Sequence, residues 1–337
     1  MNFTELPDLA SRLLGGSVVY ANDELFAARE NLIKPDPAVF DPREFGVKGK
    51  VYDGWETRRR REPGNDFAIV RLGVPGTVRG VVVDTAWFSG NYPAEVSVEG
   101  ICAAGYPSVD ELLDAEWLTV VPRATANGDS VNMFPVEVPH RFTHLRLTIY
   151  PDGGVARFRV YGEPVPDPSL LTGTVDLAAL ENGADVVACS DMFYTSARNL
   201  LMPGRARGMG EGWENARRRD ESNDYVTVRL AGAGSVRRVV VDSSYFVGNA
   251  PGWVSVHGLD RARHSVDDTD ALVELVARTR IGPDTRHVFE SASTEPVTHV
   301  RLDVFPDGGL ARLRVLGELT EEGMTDVASA FSANPMP

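Results

Sequence analysis

The stretch GWETRRRREPGNDFAIVRL, Gly54–Leu72, decides the fold because the chain repeats it as GWENARRRDESNDYVTVRL, Gly212–Leu230. The two copies align without a gap for 47 positions, of which 26 are identical. A second block repeats THLRLTIYPDGGVARFRVYGE, Thr143–Glu163, as THVRLDVFPDGGLARLRVLGE, Thr298–Glu318. The repeated unit is therefore the size of a domain and not of a solenoid repeat.

The duplication sets the predicted domain boundaries. A weaker match pairs residues 17–32 with residues 185–200, so each copy begins well before its arginine run. The segment GEPVPDPSLLTG (162–173) is rich in proline and is typical of an extended connector. We predict two repeats, residues 1–165 and residues 166–337.

Within each copy, short segments rich in β-branched and aromatic residues lie between Gly, Pro, Asn and Asp. In the first copy they are FAIVRL, VRGVVVD, AEVSVEG, WLTVVPR, THLRLTIY and ARFRVYG. The PDGG sequences between the last two segments are typical of a hairpin turn. Helical periodicity is weak, and DELLDAEW (110–117) and TDALVELVA (269–277) are the best short candidates. We predict an all-β chain of two tandem jelly-roll-like antiparallel β-sandwiches.

Composition limits the classes of function. The chain has 337 residues, a formal net charge of −14 and 43% hydrophobic residues, so two domains can each bury a core. No apolar run approaches the roughly 20 residues of a membrane span, and the N-terminus has no secretory signal pattern. The acidic balance argues against nucleic acid. We expect a cytoplasmic protein that binds neither membranes nor nucleic acid, and local basic clusters that suit a small anion.

The usual catalytic signatures are missing. There is no nucleophile elbow, phosphate-binding loop or dinucleotide fingerprint. Cys102 and Cys189 stand at unrelated places in the two copies, which argues against a cysteine nucleophile and indicates a reducing compartment. Of the six histidines, among them His264, only His144 and His299 are equivalent. We predict no metal site from these residues.

A set of polar residues recurs in both copies. It comprises Trp55/Trp213, Glu56/Glu214, Arg59–Arg61/Arg217–Arg219, Asn65-Asp66/Asn223-Asp224, Asp84/Asp242, Asn91/Asn249, His144/His299, Arg146/Arg301, Asp152/Asp307 and Arg157/Arg312. Some members have simpler interpretations: Asp152 as a turn residue, His144 and Arg146 as the solvent face of a strand, and Asn65-Asp66 as a loop end. The Trp-Glu-x-x-Arg-Arg-Arg cluster fits either an internal ion-pair network or a pocket for a small carboxylate.

These residues resemble one enzyme family. GWETRRRREPGNDFAIVRLG, VVVDTAWFSGNYP, HLRLTIYPDGGVARFRVYGE, their second copies, and CSDMFYTSARNLLMPGRARGMGEGWENARRR (Cys189–Arg219) are similar to allantoicases. The resemblance runs from about Ser17 to Glu318. The sequence departs from the family pattern at Ala216, which stands where the first copy has an arginine. The resemblance implies two allantoicase-type repeats, similar to galactose-binding-type sandwiches. It also implies hydrolysis of allantoate to (S)-ureidoglycolate and urea in purine degradation.

The reaction needs proton transfer and binding of the substrate carboxylate. We expect Glu56 or Glu214 to transfer the proton, with His144 and His299 as competing candidates. The expected substrate-binding residues are Trp55, Arg59, Arg60, Asn65, Asp66 and Arg157, and in the second copy Trp213, Arg217, Arg218, Asn223, Asp224 and Arg312. No cofactor is expected, the need for a divalent metal stays open, and a homo-oligomer is expected. The alternatives are a non-catalytic carbohydrate-binding sandwich and a purely structural interaction protein.

Overall fold

The computed structural model describes residues 2–261 and 272–335, so His264 lies outside the described residues. The chain divides into two compact units. Unit 1 comprises Met1–Val165 with Asn334–Pro337, and unit 2 comprises Pro166–Ala333. None of the helices in the described parts of the chain is long and apolar enough to span a membrane.

Unit 1 is built from strands and one short α-helix. The strands are β1 (Ser17–Ala21), β2 (Phe45–Gly46), β3 (Gly49–Lys50), β4 (Trp55–Glu56), β5 (Asp66–Asp84), β6 (Glu95–Ile101), β7 (Leu118–Thr125), β8 (Val131–Pro135), β9 (Arg141–Tyr150), β10 (Gly154–Val155) and β11 (Arg157–Pro164). Helix α1 spans Val109–Asp114, and 3-10 turns span Phe3–Glu5, Arg12–Leu14 and Arg29–Ile33.

Unit 2 repeats the longer strands of unit 1 in the same order and ends in a longer helix. Its strands are β12 (Val175–Asp176), β13 (Asp185–Cys189), β14 (Asp224–Asp242), β15 (Trp253–Leu259), β16 (Val273–Arg280), β17 (Arg286–Glu290), β18 (Pro296–Phe305) and β19 (Arg312–Leu319). Helix α2 spans Glu321–Ala333, and 3-10 turns span Pro168–Leu170, Leu180–Asn182, Ala197–Leu201 and Met209–Glu211.

The long strand β5 belongs to both layers of the unit 1 sandwich. Its first half pairs with β1 and β9, and its second half pairs with β8 and β11, always antiparallel. The register shifts between Arg71 and Gly76, where the strand passes from one layer to the other. A Cβ at Gly76 would lie 2.4 Å from the carbonyl oxygen of Glu163, so only glycine fits this crossing.

Apolar side chains from both layers meet in the middle of unit 1. Phe142, Leu145 and Leu147 of β9 and Phe158 of β11 are completely buried against the apolar face of β5. Unit 2 has the same plan, with strand order β12-β19-β14-β18-β15-β16 and with β13 and β17 also paired to β14. The prediction of an all-β chain of two tandem antiparallel sandwiches is confirmed.

Two local predictions were wrong. The PDGG segment does not close a hairpin, because β9 and β11 pair with different halves of β5 and not with each other. The predicted helix at 269–277 is a strand from Val273 onwards, and residues 269–271 lie outside the described residues. The other predicted helix is present as α1, where the Ser108 hydroxyl and the Glu111 carboxylate cap each other's backbone amide.

Candidate active site

The two tryptophans of the repeated motif belong to the core. In β4, Trp55 pairs with Val155, and the bridge between Trp213 and Leu310 is equivalent. Both indoles are 0% exposed, and each Nε1 donates to a backbone carbonyl, that of Asp23 at 2.7 Å and that of Asp191 at 2.8 Å. This burial corrects the expectation that Trp55 and Trp213 contact substrate, because a ligand cannot reach them.

The glutamate after each tryptophan points away from the core that holds the tryptophan, because successive side chains of a strand point to opposite faces. Glu56 is half-buried, and its Oε1 accepts a hydrogen bond of 2.5 Å from Asn91 Nδ2. In unit 2, Glu214 Oε1 accepts a bond of the same length from Asn249 Nδ2. Burial raises the pKa of Glu56, and the bond from Asn91 opposes the rise.

Arg60 holds the next part of the motif in place. Its backbone amide donates to Asp152 Oδ2 at 2.8 Å, and its guanidinium pairs with Asp66 Oδ1 at 2.5 Å. Asp66 is 1% exposed and also accepts a bond from Asn22. Asp152 is therefore more than a turn residue, since its carboxylate anchors the arginine run against the turn between β9 and β10.

Unit 2 repeats this arrangement with Arg218. Its amide donates to Asp307 Oδ2 at 2.7 Å, and its Nη2 lies 2.7 Å from Asp224 Oδ1. Ser190 takes the place of Asn22 and donates to Asp224. The aspartates of both pairs are buried, so we assign Arg60–Asp66 and Arg218–Asp224 to the internal ion-pair network and not to substrate contacts.

Two arginines of the motif in each unit stay available for a ligand, Arg59 and Arg61 in unit 1 and Arg217 and Arg219 in unit 2. Arg59 and Arg217 are exposed, and neither makes a hydrogen bond or ion pair within residues 2–261 and 272–335. In unit 1 the preceding Arg58 is bound to the carboxylate of Asp23. In unit 2, where Ala216 stands at that position, only the backbone amide of Ala216 reaches Asp191.

The asparagines before the buried aspartates differ between the units. The side chain of Asn65 is exposed, and its backbone carbonyl accepts a bond from Asn22 Nδ2 at 3.1 Å. Asn223 is half-buried, and its Nδ2 donates to Asp303 Oδ1 at 2.9 Å. The side-chain amide of Asn65 is therefore free to bind a substrate, whereas that of Asn223 is already bonded to Asp303.

Arg157 and Arg312 lie apart from the glutamates. Arg157 is 1% exposed and bonds to the carbonyls of Asp36, Pro37, Asp53 and Ala156 and to the Asp53 carboxylate at 2.6 Å. Arg312 bonds to the carbonyls of Glu211 and Ala311. Since their polar contacts are made elsewhere, the structure does not bring Arg157 or Arg312 to the Glu56 and Glu214 clusters.

The two histidines are also remote from the glutamates. His144 pairs with Arg71 of β5, five positions along the strand from Asp66, which is roughly 16 Å. His144 is 3% and His299 7% exposed, which corrects the interpretation as a solvent face. Burial first, then nearby Arg71 or Arg261, lowers each pKa to about 4. Position and protonation both argue against His144 and His299 as the acid–base pair.

Comparison with known proteins identifies the family to which the chain belongs. The family model described as the allantoicase repeat matches residues 7–165 and again residues 175–320. The chain belongs to the allantoicase family. A probable allantoicase of Nocardia farcinica is 54% identical, with 94% of this chain and 95% of that protein covered. One of Streptomyces coelicolor is 51% identical, with 97% and 89% covered.

Solved structures agree with the sequence relatives. The crystal structure of allantoicase from Saccharomyces cerevisiae matches with a TM-score of 0.77 and 36% identity, and 93% of each chain is covered. Another allantoicase structure matches with a TM-score of 0.76 and 36% identity over 91% of this chain and 92% of that chain. The resemblance first noted in the arginine motif therefore extends to the whole two-unit fold.

Two residue pairs in this allantoicase fold were missed or undervalued in the sequence. Asn91 and Asn249 recur among the identical positions, but only the structure shows that they bind the glutamates. Asp23 and Asp191 align in the weak third match and bind both the indole and the next motif residues. The available signals were a repeated amide in the gapless block and a repeated acid in the weakly matched segment.

A strained aromatic residue recurs beside each asparagine loop of the allantoicase repeats. Trp87 and Tyr245 have φ values of 70° and 71°, and both side chains are about half exposed. Bulky residues adopt this left-handed conformation only where the surroundings enforce it. Each lies four positions before Asn91 or Asn249, so the strain marks the loops that carry the glutamate partners.

The described part of the chain offers little to a metal ion. Across residues 2–261 and 272–335, no group of three or more His, Cys, Asp or Glu side chains is placed to hold one. The side-chain partner of Glu56 is instead the amide of Asn91, a neutral hydrogen-bond donor.

Proposed function

We propose that this protein is an allantoicase, a hydrolase that converts allantoate and water into ureidoglycolate and urea in purine degradation. The observation that carries the proposal is the match of the allantoicase repeat to both halves of the chain. The relatives at 49–54% identity cover more than nine-tenths of this chain. A carbohydrate-binding sandwich would not need the same half-buried glutamate and free arginine in both units.

We propose Glu56 and Glu214 as the proton-transfer residues. In the reaction, the carbon–nitrogen bond to one ureido group breaks and a carbon–oxygen bond forms, so water loses a proton and the departing nitrogen gains one. A carboxyl group can accept the first proton and donate the second. Burial raises the pKa of Glu56, which makes this carboxyl easier to protonate than an exposed one. Direct displacement and loss of urea followed by hydration both need this transfer.

We propose that Arg59 and Arg217 bind the carboxylate of allantoate. Guanidinium groups pair with carboxylates through two parallel hydrogen bonds. These two side chains are exposed and unpaired in the described parts of the chain, whereas Arg60 and Arg218 are held by buried aspartates. Asn65 adds an exposed amide that can bond to a ureido group.

We also propose that the enzyme is cytoplasmic and homo-oligomeric, and that residues 1–165 and 166–337 act as two repeats. Cys102 and Cys189 are both free and half-buried, which supports a reducing compartment. Light scattering after size-exclusion chromatography tests the oligomeric state. Cell fractionation tests the compartment.

The direct test of the activity is urea release. Purified protein is incubated with allantoate, and urea and ureidoglycolate are measured over time, with and without a chelator. We expect the two products in equal amounts. No urea release, together with saturable binding of a neutral sugar, would favour the carbohydrate-binding alternative and overturn the proposal.

A further inference from the structure

A strongly basic cavity lies in unit 2, away from the glutamate cluster. Its volume is about 350 Å³, and its lining includes Arg205, Arg286, Arg312 and Arg314, with Asp242 as the single acidic residue. Because Asp176 also pairs with Arg314, the four guanidinium groups and the two carboxylates leave a net local charge of about +2. The cavity is large enough for a small ligand of several non-hydrogen atoms.

Arg312 is the buried member of this cavity. Its side chain is 3% exposed, and Nη1 donates to the carbonyl oxygens of Glu211 at 2.6 Å and Ala311 at 2.7 Å. Its Nε is buried and has no hydrogen-bond partner among the described residues. A buried guanidinium with an unused donor is costly unless an anion neutralises it.

Unit 1 shows how the same position looks when it is neutralised. Arg157 is the equivalent of Arg312, and the carboxylate of Asp53 lies 2.6 Å from its Nη2. The unit 2 equivalent of Asp53 is Glu211, whose carboxylate turns to Arg207 instead. In unit 1 a carboxylate therefore pairs directly with this arginine, whereas in unit 2 Glu211 and Asp242 act on Arg312 without forming an ion pair.

Strand β17, which pairs with the edge of β14 opposite β19, adds a charge that unit 1 lacks. Arg286 lies opposite Asp242 in β17, and the equivalent place opposite Asp84 in β8 is taken by Val131. Arg286 and Arg205 are exposed, and neither side chain has an ion-pair or hydrogen-bond partner within the parts of the chain that the structure describes. Unit 2 thus combines an acid that turns away with an added arginine, Arg286, at one cavity.

The nearby carboxylates neutralise only part of this charge. Asp242 Oδ1 accepts bonds from both the amide and the hydroxyl of Ser244, at 2.9 and 2.6 Å. Asp176 lies 3.5 Å from Arg314 and binds the backbone amides of Ala178 and Val315. Arg205, Arg286 and Arg312 therefore remain without a carboxylate partner among the described side chains.

We propose that this cavity, lined by Arg205, Arg286, Arg312 and Arg314, is a binding site for a small multiply charged oxyanion of the phosphate class. Several arginine forks around one site match the tetrahedral oxygens and the double negative charge of such an anion. The site is separate from Glu214, Arg217 and Asn249, none of which lines the cavity. The proposal does not depend on the proposed reaction.

The test measures binding of inorganic phosphate to the whole protein by isothermal titration calorimetry in a chloride buffer of constant ionic strength. The variant is Arg286→Val, which gives unit 2 the residue that unit 1 carries, and it spares the buried Arg312. The matched control is Arg280→Val, which removes an exposed charge from the neighbouring strand β16.

We expect one phosphate per chain, binding at least tenfold weaker in Arg286→Val, and unchanged binding in Arg280→Val. We also expect phosphate to raise the melting temperature of the wild type more than that of Arg286→Val. Absence of phosphate binding in the wild type, or equal loss in both variants, overturns the proposal.

Discussion

The side-chain amide of Asn91 donates a hydrogen bond of 2.5 Å to Glu56, and Asn249 makes the same bond to Glu214. A half-buried carboxylate held by a neutral donor keeps a defined orientation without being neutralised by a cation. The pair is therefore suited to proton transfer, and both units carry it. Whether the two units contribute equally can be measured with single and double variants.

The first prediction concerns the glutamates. Replacing Glu56 or Glu214 by Gln keeps the shape of the side chain and removes its ability to exchange a proton. We expect the double variant to lose about 10²–10⁴-fold in kcat. Each single variant should keep roughly half of the activity if the units work independently, and urea release under substrate saturation is the measurement. Unchanged turnover of the double variant with intact circular dichroism would remove both residues from the mechanism.

The second prediction concerns the asparagines as positioning residues. The bond from Asn91 favours the ionised form of Glu56, so its loss raises the pKa of that carboxyl further. We expect Asn91→Leu combined with Asn249→Leu to move the acidic limb of the kcat profile to higher pH. A merely structural role would lower activity by the same factor at every pH, and that result would contradict the assignment.

The third prediction concerns the exposed arginines. Arg59→Gln combined with Arg217→Gln removes the proposed partners of the substrate carboxylate. Charge-assisted bonds contribute about 1.5–3 kcal/mol, so we expect KM for allantoate to rise about ten- to hundredfold. Arg280→Gln is the control, because it removes an exposed charge outside the motif. An equal rise of KM in the control would show only a general effect of charge.

The architecture could be predicted from the sequence because the duplication shows each pattern of strand and turn residues twice. Alternating apolar residues, turn residues and two gapless repeats predict strands and their grouping. The connection between β9 and β11 could not be predicted, because it depends on β5 crossing both layers at Gly76. Turn chemistry at the PDGG segment is local and does not say which strands pair.

The candidate site was only partly predictable for a related reason. Repetition identified Glu56 and the arginines but did not separate exposed from buried side chains. Arg59 and Arg60 are neighbours in the sequence, yet one is exposed and the other is paired with a buried aspartate. Burial and partner choice depend on contacts from distant segments, such as Asp152 and Asn22.

The fourth prediction concerns stability at acidic pH. His144 and His299 have folded-state pKa values lowered from 6.5 to about 4. The unfolded chain binds protons at these imidazoles as pH falls through about 6.5, whereas the folded protein does so only near 4. The free energy of unfolding should therefore fall between these values, by on the order of 3 kcal/mol for each histidine.

Urea unfolding of His144→Leu and His299→Leu as a function of pH checks this expectation. Each variant should lose about half of the extra pH dependence, and the double variant should lose nearly all of it, because distant sites add. The hydroxyl of Thr143 keeps a partner in the carbonyl of Ile101, so His144→Leu does not orphan it. An unaltered slope in the double variant would show that other groups cause the acid sensitivity.

The last prediction separates structural from substrate-binding aspartates. Asp66→Asn leaves Arg60 without its counter-ion, and Asp224→Asn leaves Arg218 only its longer, exposed pair with Asp220. Loss of one partner from a fully buried ion pair costs about 3–5 kcal/mol. Arg60 is 28% exposed, so we expect about 2 kcal/mol of lost stability in urea unfolding. Asp41→Asn, in the exposed pair with Arg43, should leave stability unchanged.

Activity measurements complete the argument about these aspartates. If Asp66 and Asp224 only hold the arginine run, the KM of the folded fraction stays at the wild-type value, and the loss of activity follows the loss of folded protein. If they bind the ureido groups instead, KM rises at temperatures where the variants remain fully folded. That second outcome would return the aspartates to the substrate site and would require their buried carboxylates to become accessible when allantoate binds.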